Sequence, residues 1–184
     1  HDQSSAASDV YKRQILSRII ASFHNDKGEL LIEGLTPTEQ DVFELSDEFV
    51  KSSLSSNGVE LFEMDSYSKR LWLEPALSIL AIDAPPVAES VNLLIPKAKA
   101  KVSLRLPPTE DPDHAMNMLE KHIKENTPFN ANVNFIPEAK GKGILVDPKN
   151  EFSSKLIESF NKNWENEVAY MGVGGSIPFA NVFI

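Results

Sequence analysis

The clearest hydrophobic pattern in the chain is a strict alternation along residues 97–106. Apolar side chains at even positions alternate with basic or hydroxyl side chains at odd positions: Ala98, Ala100, Val102, Leu104 and Leu106 against Lys97, Lys99, Lys101, Ser103 and Arg105. A period of two predicts a strand with one buried face and one solvated face. Residues 77–82 form a near-continuous apolar run, which predicts a more deeply buried strand.

Other segments carry apolar residues at helical spacing. Leu16, Ile19, Ile20 and Phe23 predict a helix over residues 10–25, with Gly28 as its stop signal. A second helix is predicted after Asp111, which serves as its cap, with Pro112 in its first turn. The expected inner face of this helix consists of Met116, Leu119 and Ile123.

A third helix is predicted after Asn150, which has the side chain of a good N-cap. Its expected inner face is apolar and consists of Phe152, Leu156, Ile157, Phe160 and Trp164. Thr36 followed by Pro37 predicts a further helix start, with Val42, Phe43, Leu45 and Phe49 as a loose apolar face. Shorter strands are predicted at residues 30–32, 131–135 and 144–146.

The predicted order is helix, strand, strand, helix, strand, with an irregular insertion after the first helix. One strand added in front completes the βαββαβ ferredoxin-like unit. The predicted class is therefore α/β (α+β), with a ferredoxin-like domain that lacks its first strand and a partial α/β segment beyond it. We expect residues 1–14 to be a foreign leader, residues 15–140 to form the first domain, and residues 141–184 to begin a second. Lys140–Gly141–Lys142–Gly143 is the expected hinge.

Composition narrows the classes of protein that remain. The 184 residues are 41% hydrophobic, which suffices for a packed core. A net charge of −9 argues against nucleic acid or an anionic membrane as the main partner. The absence of cysteine excludes disulfides and thiolate metal sites and suits a cytoplasmic location. No apolar run approaches the length of a membrane span.

Few residues suggest catalysis. The histidines (His1, His24, His114 and His122) show no metal-binding spacing, and solvated surface positions are the favoured interpretation. Ser176 lies in Gly-Gly-Ser-Ile-Pro, which is not a serine hydrolase motif. The Gly174–Gly175–Ser176 turn, expected to start a helix, is either an anion-binding site or an ordinary capped turn.

Arg105 is the more specific candidate. It ends the basic face of the alternating strand, where a guanidinium can bind a carboxylate through two parallel hydrogen bonds. The alternative is a solvated sheet face whose charges discourage edge pairing. That alternative is favoured for Lys97, Lys99 and Lys101, and it stays open for Arg105.

Four segments in order resemble a known family. They are Leu-Ser-Ile-Leu-Ala-Ile-Asp-Ala-Pro-Pro at 77–86, Asn-Leu-Leu-Ile-Pro at 92–96, Val-Ser-Leu-Arg-Leu-Pro at 102–107 and Gly-Gly-Ser-Ile-Pro at 174–178. The set resembles the zinc metallopeptidases that include aminoacylase, carnosine dipeptidase, glutamate carboxypeptidase and succinyl-diaminopimelate desuccinylase, and most of all their bacterial dipeptidase branch. This resemblance implies a lid domain that forms a homodimer, set within a catalytic domain that holds two zinc ions.

The resemblance also implies roles for individual residues. Asn92 matches a lid asparagine that contacts substrate in the partner subunit, and Arg105 matches an arginine that binds the substrate carboxylate. Gly175 and Ser176 match a loop that lines the same pocket. The family's zinc ligands and general base match no residue here, so we expect no catalytic or metal-binding residue in this chain and no activity from it alone. His1 lacks the sequence context of the family's lid histidine, and that role is not assigned to it.

The expected function is thus that of a fragment of a dipeptidase acting on dipeptides or related amides. An N-acyl-amino-acid deacylase of the same family and a standalone dimerisation module are the alternatives.

Overall fold

The computed structural model describes residues 12–54, 65–83, 86–89, 97–145, 150–165 and 168–172. These residues belong to two compact units. The first unit takes its described residues from His1–Leu35, Pro75–Arg105 and Asp113–Ala139. The second takes them from Thr36–Glu74, Leu106–Pro112 and Lys140–Ile184. The chain therefore passes between the units several times, and the irregular insertion after the first helix groups with the C-terminal part.

An antiparallel pair of strands forms the sheet of the first unit. Strand β1 spans Ala76–Asp83 and β2 spans Lys99–Arg105, which confirms both predicted strands. Leu77 pairs with Leu104 and Ile79 with Val102, so these side chains share the face that packs on the core. The register shifts between Ile79 and Ala81, leaving Leu80 as a bulge residue that is largely exposed.

Two helices pack against the apolar face of the sheet in the first unit. Helix α1 spans Lys12–Ala21, so three residues of the expected leader are helical, and α4 spans Pro112–Glu125. Their buried side chains join those of the strands and the segment after α1 in one cluster: Ile19, Phe23, Ile32, Leu77, Leu119 and Ile123. The order helix, strand, strand, helix is the centre of the ferredoxin-like unit, and the predicted mixed class is confirmed.

Two of the shorter predicted strands in this unit are wrong. Residues 30–32 form only an isolated bridge between His24 and Leu30, within a turn where the Leu31 N–H donates to the Phe23 carbonyl. Residues 131–135 keep the predicted alternation of burial, and Val133 and Phe135 pack on the core, but they form no strand. Side-chain burial alone produces a period of two, whereas a strand also needs a neighbouring backbone to pair with.

The second unit contains three helices among its described residues. Helix α2 spans Asp47–Leu54, α3 spans Tyr67–Trp72 and α5 spans Glu151–Asn163. Its buried apolar residues and a buried serine come from the insertion and from the segment after β2: Leu45, Val50, Ser68, Leu73 and Pro107. Ser66 caps α3 by accepting a hydrogen bond from the Lys69 N–H, and its hydroxyl donates to Glu44.

The predicted helix start at Thr36–Pro37 is wrong, because this segment bonds to distant parts of the second unit. The Thr38 N–H donates to the Leu73 carbonyl, and the Thr38 and Thr109 hydroxyls lie 2.7 Å apart. These bonds hold the segment in a non-helical conformation, and the helix begins only at Asp47. The short strand predicted at 144–146 is also wrong where described, since residues 144 and 145 are not in a strand.

Helix α5 confirms the predicted cap and corrects the predicted face. Asn150 accepts a hydrogen bond from the Ser153 N–H at 2.9 Å. Phe152 and Trp164 are 77% and 62% exposed, so the apolar stripe is not an inner face in the part of the chain that the structure describes. Phe160 and Trp164 instead stack on each other with ring centroids 4.6 Å apart. None of the described helices is both long and apolar enough to cross a membrane.

Candidate functional site

Arg105 is the last residue of β2 and lies on the solvated face of the sheet. It is directly opposite Ala76, and the next pair on the same face is Ser103 with Ser78. Because these neighbours are small, no large cross-strand side chain covers the guanidinium, and Arg105 is exposed. The β pairing fixes its backbone, and Leu104 beside it packs on the core from the opposite face.

The charges on this face fall into two groups. Lys99 lies 3.9 Å from the Asp83 carboxylate, and Lys101 lies 2.6 Å from that of Glu138. Arg105 has no carboxylate within ion-pair distance among the residues described, and the same holds for Lys97 at the other end. Exposed pairs are worth only about 0–1 kcal/mol, but each partly neutralises its lysine. Arg105 therefore has its planar pair of donors available for an external anion.

The other predicted site residues lie outside the described residues. They are Asn92, Gly175 and Ser176. The structure therefore gives a position for Arg105 alone. The grouping of the four residues in one substrate pocket stays a prediction, as do the proposed domain boundaries.

The histidine prediction is partly wrong. His114 is exposed, as expected, and His24 is half-buried, but His122 is only 8% exposed. Its ring stacks on Phe23 with centroids 5.5 Å apart, and its Nε2 lies 3.1 Å from both oxygens of Ser22. A signal for this burial was present, because His122 follows Leu119 by three residues and so lies on the inner face of α4.

The described residues offer no donor set for a metal ion. Within them, no three or more histidine, aspartate or glutamate side chains gather in a group that could hold one. Zinc thus has no matching ligands in the described part of this chain.

Comparison with known proteins matches residues 5–131 to the model of a family described as the peptidase dimerisation domain. A cysteinylglycine-S-conjugate dipeptidase of Corynebacterium striatum is 27% identical over 173 residues, which cover 89% of this chain and 37% of that protein. The chain thus spans well under half of this curated relative.

Solved structures share the fold. The dipeptidase Dug1p of Saccharomyces cerevisiae matches with a TM-score of 0.70 and 21% identity, covering 93% of this chain and 39% of that one. The metallo-carboxypeptidase Sso-CP2 of Sulfolobus solfataricus, of the M20 family, matches at 0.68 and 21%, covering 90% and 45%. Human carnosine dipeptidase 1 matches at 0.67 and 17%, covering 93% and 39%. At these identities the likeness establishes the fold.

Proposed function

This chain belongs to the peptidase dimerisation domain family, and we propose that it forms the dimer surface and the substrate-binding lid of a dipeptidase that uses two zinc ions. The names of the relatives support a dipeptide substrate, since the similar proteins include a cysteinylglycine-conjugate dipeptidase, Dug1p and a carnosine dipeptidase. We assign the zinc ligands to the part of a full-length enzyme that this chain does not span. We further propose that this dipeptidase is a homodimer located in the cytoplasm.

The observation that carries the proposal is the state of Arg105. It is exposed, it is held at the end of a paired strand, and it has no ion-pair partner among the described residues, whereas Lys99 and Lys101 have one each. A guanidinium in this state binds a carboxylate through two parallel charge-assisted hydrogen bonds. The free C-terminus of a dipeptide supplies such a carboxylate, so Arg105 would select substrates that end within the site.

The binding contribution of Arg105 is testable by kinetics in the full-length protein that contains this chain. When bound substrate desolvates its pair with Arg105, Arg105→Ala should cost about 2–4 kcal/mol in transition-state binding, the range for removing one partner of a desolvated charge pair. This corresponds to a loss of roughly 30- to 800-fold in kcat/KM. Lys99→Ala is the matched control, because it removes a cation that already has a carboxylate partner on the same face.

The assay compares a dipeptide with its C-terminal amide in the wild type and both variants. We expect Arg105→Ala to lose most of the preference for the free acid and Lys99→Ala to keep it. Equal behaviour of the two variants would show that Arg105 belongs to an ordinary solvated face. Faster turnover of an N-acetyl amino acid than of any dipeptide would instead favour the deacylase alternative. The 184-residue chain alone should hydrolyse neither substrate.

A further inference from the structure

A cleft of about 310 Å³ lies in the first unit, apart from the Arg105 face. It is lined by the end of α1, by the segment that follows it and by one side of α4. The contributing residues are Ser22, Leu31, Glu33, Met118, Lys121, His122, Glu125 and Asn126. Its volume is at the lower end of the range for small-molecule sites, and none of its residues has a role in the proposed peptidase function.

The hydrogen bonds of His122 define what its ring presents to this cleft. Nε2 lies 3.1 Å from the Ser22 carbonyl oxygen, which can only accept, so Nε2 carries the proton and donates. The Ser22 hydroxyl donates to the Ile19 carbonyl at 2.7 Å, so its oxygen also accepts from Nε2 at 3.1 Å. In the neutral ring the proton is therefore on Nε2, and the Nδ1 lone pair is a hydrogen-bond acceptor.

His122 lines the cleft, and its Nδ1 makes no hydrogen bond among the described residues. The residue as a whole is 8% exposed. In the described part of the chain, the fully enclosed side-chain polar atom that lacks a partner is Gln40 Oε1. Nδ1 of His122 is therefore not fully enclosed. A buried imidazole that lines a cleft and has an unused acceptor offers a position for a hydrogen-bond donor.

Asn126 and Glu33, which also line the cleft, offer further acceptors. Asn126 uses its Nδ2 to donate to the His122 carbonyl at 2.9 Å, which leaves its Oδ1 as an acceptor. Glu33 has no ion pair among the residues described. Glu125 and Lys121 lie 3.8 Å apart and offset each other's charge. The cleft therefore combines one uncompensated negative charge with several acceptors, while Leu31 and Met118 supply apolar wall.

We propose that this cleft binds a small aliphatic ammonium compound. An ammonium group has three hydrogen-bond donors and no acceptor, and the available acceptors are His122 Nδ1, Asn126 Oδ1 and the Glu33 carboxylate. Its positive charge complements Glu33, and a short alkyl chain suits the Leu31 and Met118 side of the cleft. A carboxylate of the same size would meet the same acceptors with like charge, so the cleft selects by charge rather than by chain length.

The test is an NMR titration of the ¹⁵N-labelled 184-residue chain with n-butylammonium chloride at fixed pH and ionic strength. Sodium butyrate and n-butanol, of the same chain length, are the control probes. We expect saturable shifts of the Asn126 side-chain amide and the His122 ring with the ammonium compound alone. Glu33→Gln should raise its Kd at least about threefold, the effect of losing one partly exposed charge contact.

Glu158→Gln is the matched control variant, since it removes the same charge from an exposed position on α5 in the second unit. It should leave the Kd unchanged. Absence of saturable shifts, equal binding of butyrate, or equal Kd values for the two variants would each overturn the proposal.

Discussion

Replacing Ser68 with alanine should lower the free energy of unfolding of the second unit by about 1–3 kcal/mol. The Ser68 side chain is fully buried, and its hydroxyl oxygen accepts a hydrogen bond from the Leu45 N–H at 2.9 Å. Alanine removes the acceptor and leaves this N–H enclosed without a partner, which costs its desolvation free energy. The bond joins α3 to the segment before α2, so its loss weakens a contact between separate parts of the insertion.

Urea unfolding followed by tryptophan fluorescence measures this effect in the correct unit. The chain has two tryptophans, Trp72 and Trp164, and both belong to the second unit. Ser52→Ala is the matched control, because Ser52 donates to the Phe49 carbonyl at 2.9 Å from an exposed helix position. This control should change the unfolding free energy by no more than about 0.5 kcal/mol.

Amide exchange gives an independent measure of the same bond. The Leu45 amide should exchange faster in Ser68→Ala than in the wild type, beyond the change explained by global stability. Equal unfolding free energies for Ser68→Ala and Ser52→Ala, with unchanged Leu45 exchange, would refute the assignment of this hydrogen bond.

Two further substitutions test the packing of each unit. Leu119→Ala should lower the free energy of unfolding, followed by circular dichroism, by about 2–5 kcal/mol, because Leu119 is buried in the cluster of the first unit. Leu156→Ala, at a 46% exposed position, should lower it by less than half as much. Gly172→Ala should destabilise the second unit in the tryptophan fluorescence assay, since a Cβ there would overlap the Trp72 ring. Gly141→Ala, at an exposed position, should be nearly neutral in the same assay.

Sequence patterns correctly predicted the elements whose conformation depends mainly on residues close by in the chain. The alternation along residues 97–106 identified β2 and its faces, because side-chain direction in a strand depends only on the backbone period. Asn150 identified the start of α5, because a cap bonds within its own first turn. Arg105 was placed on the solvated face by the same alternation, and its exposure agrees.

The wrong predictions concern residues whose hydrogen-bond partners lie far away in the sequence. Thr36–Pro37 has the composition of a helix start, but Thr38 bonds to Leu73 and Thr109, which no local pattern reveals. His122 was expected on the surface because the histidines show no metal-binding spacing, although its spacing from Leu119 indicates the inner face of α4. Its Nε2 is satisfied by Ser22, which is 100 residues away in sequence. For the candidate site, the ion pairs that distinguish Arg105 from Lys99 and Lys101 depend on where Asp83 and Glu138 lie in the fold.

Association of two copies is the central claim, and sedimentation equilibrium of the 184-residue chain tests it most directly. A family defined by dimerisation predicts a mass of twice 20.4 kDa for this chain. Interfaces of ordinary size have Kd values from micromolar to picomolar, and the weak end of this range, about 1 μM, corresponds to about −8 kcal/mol. We therefore expect the dimer mass at concentrations of roughly 10 μM and above, with a shift toward the monomer on dilution. A mass of 20.4 kDa at every concentration up to about 100 μM would contradict the account.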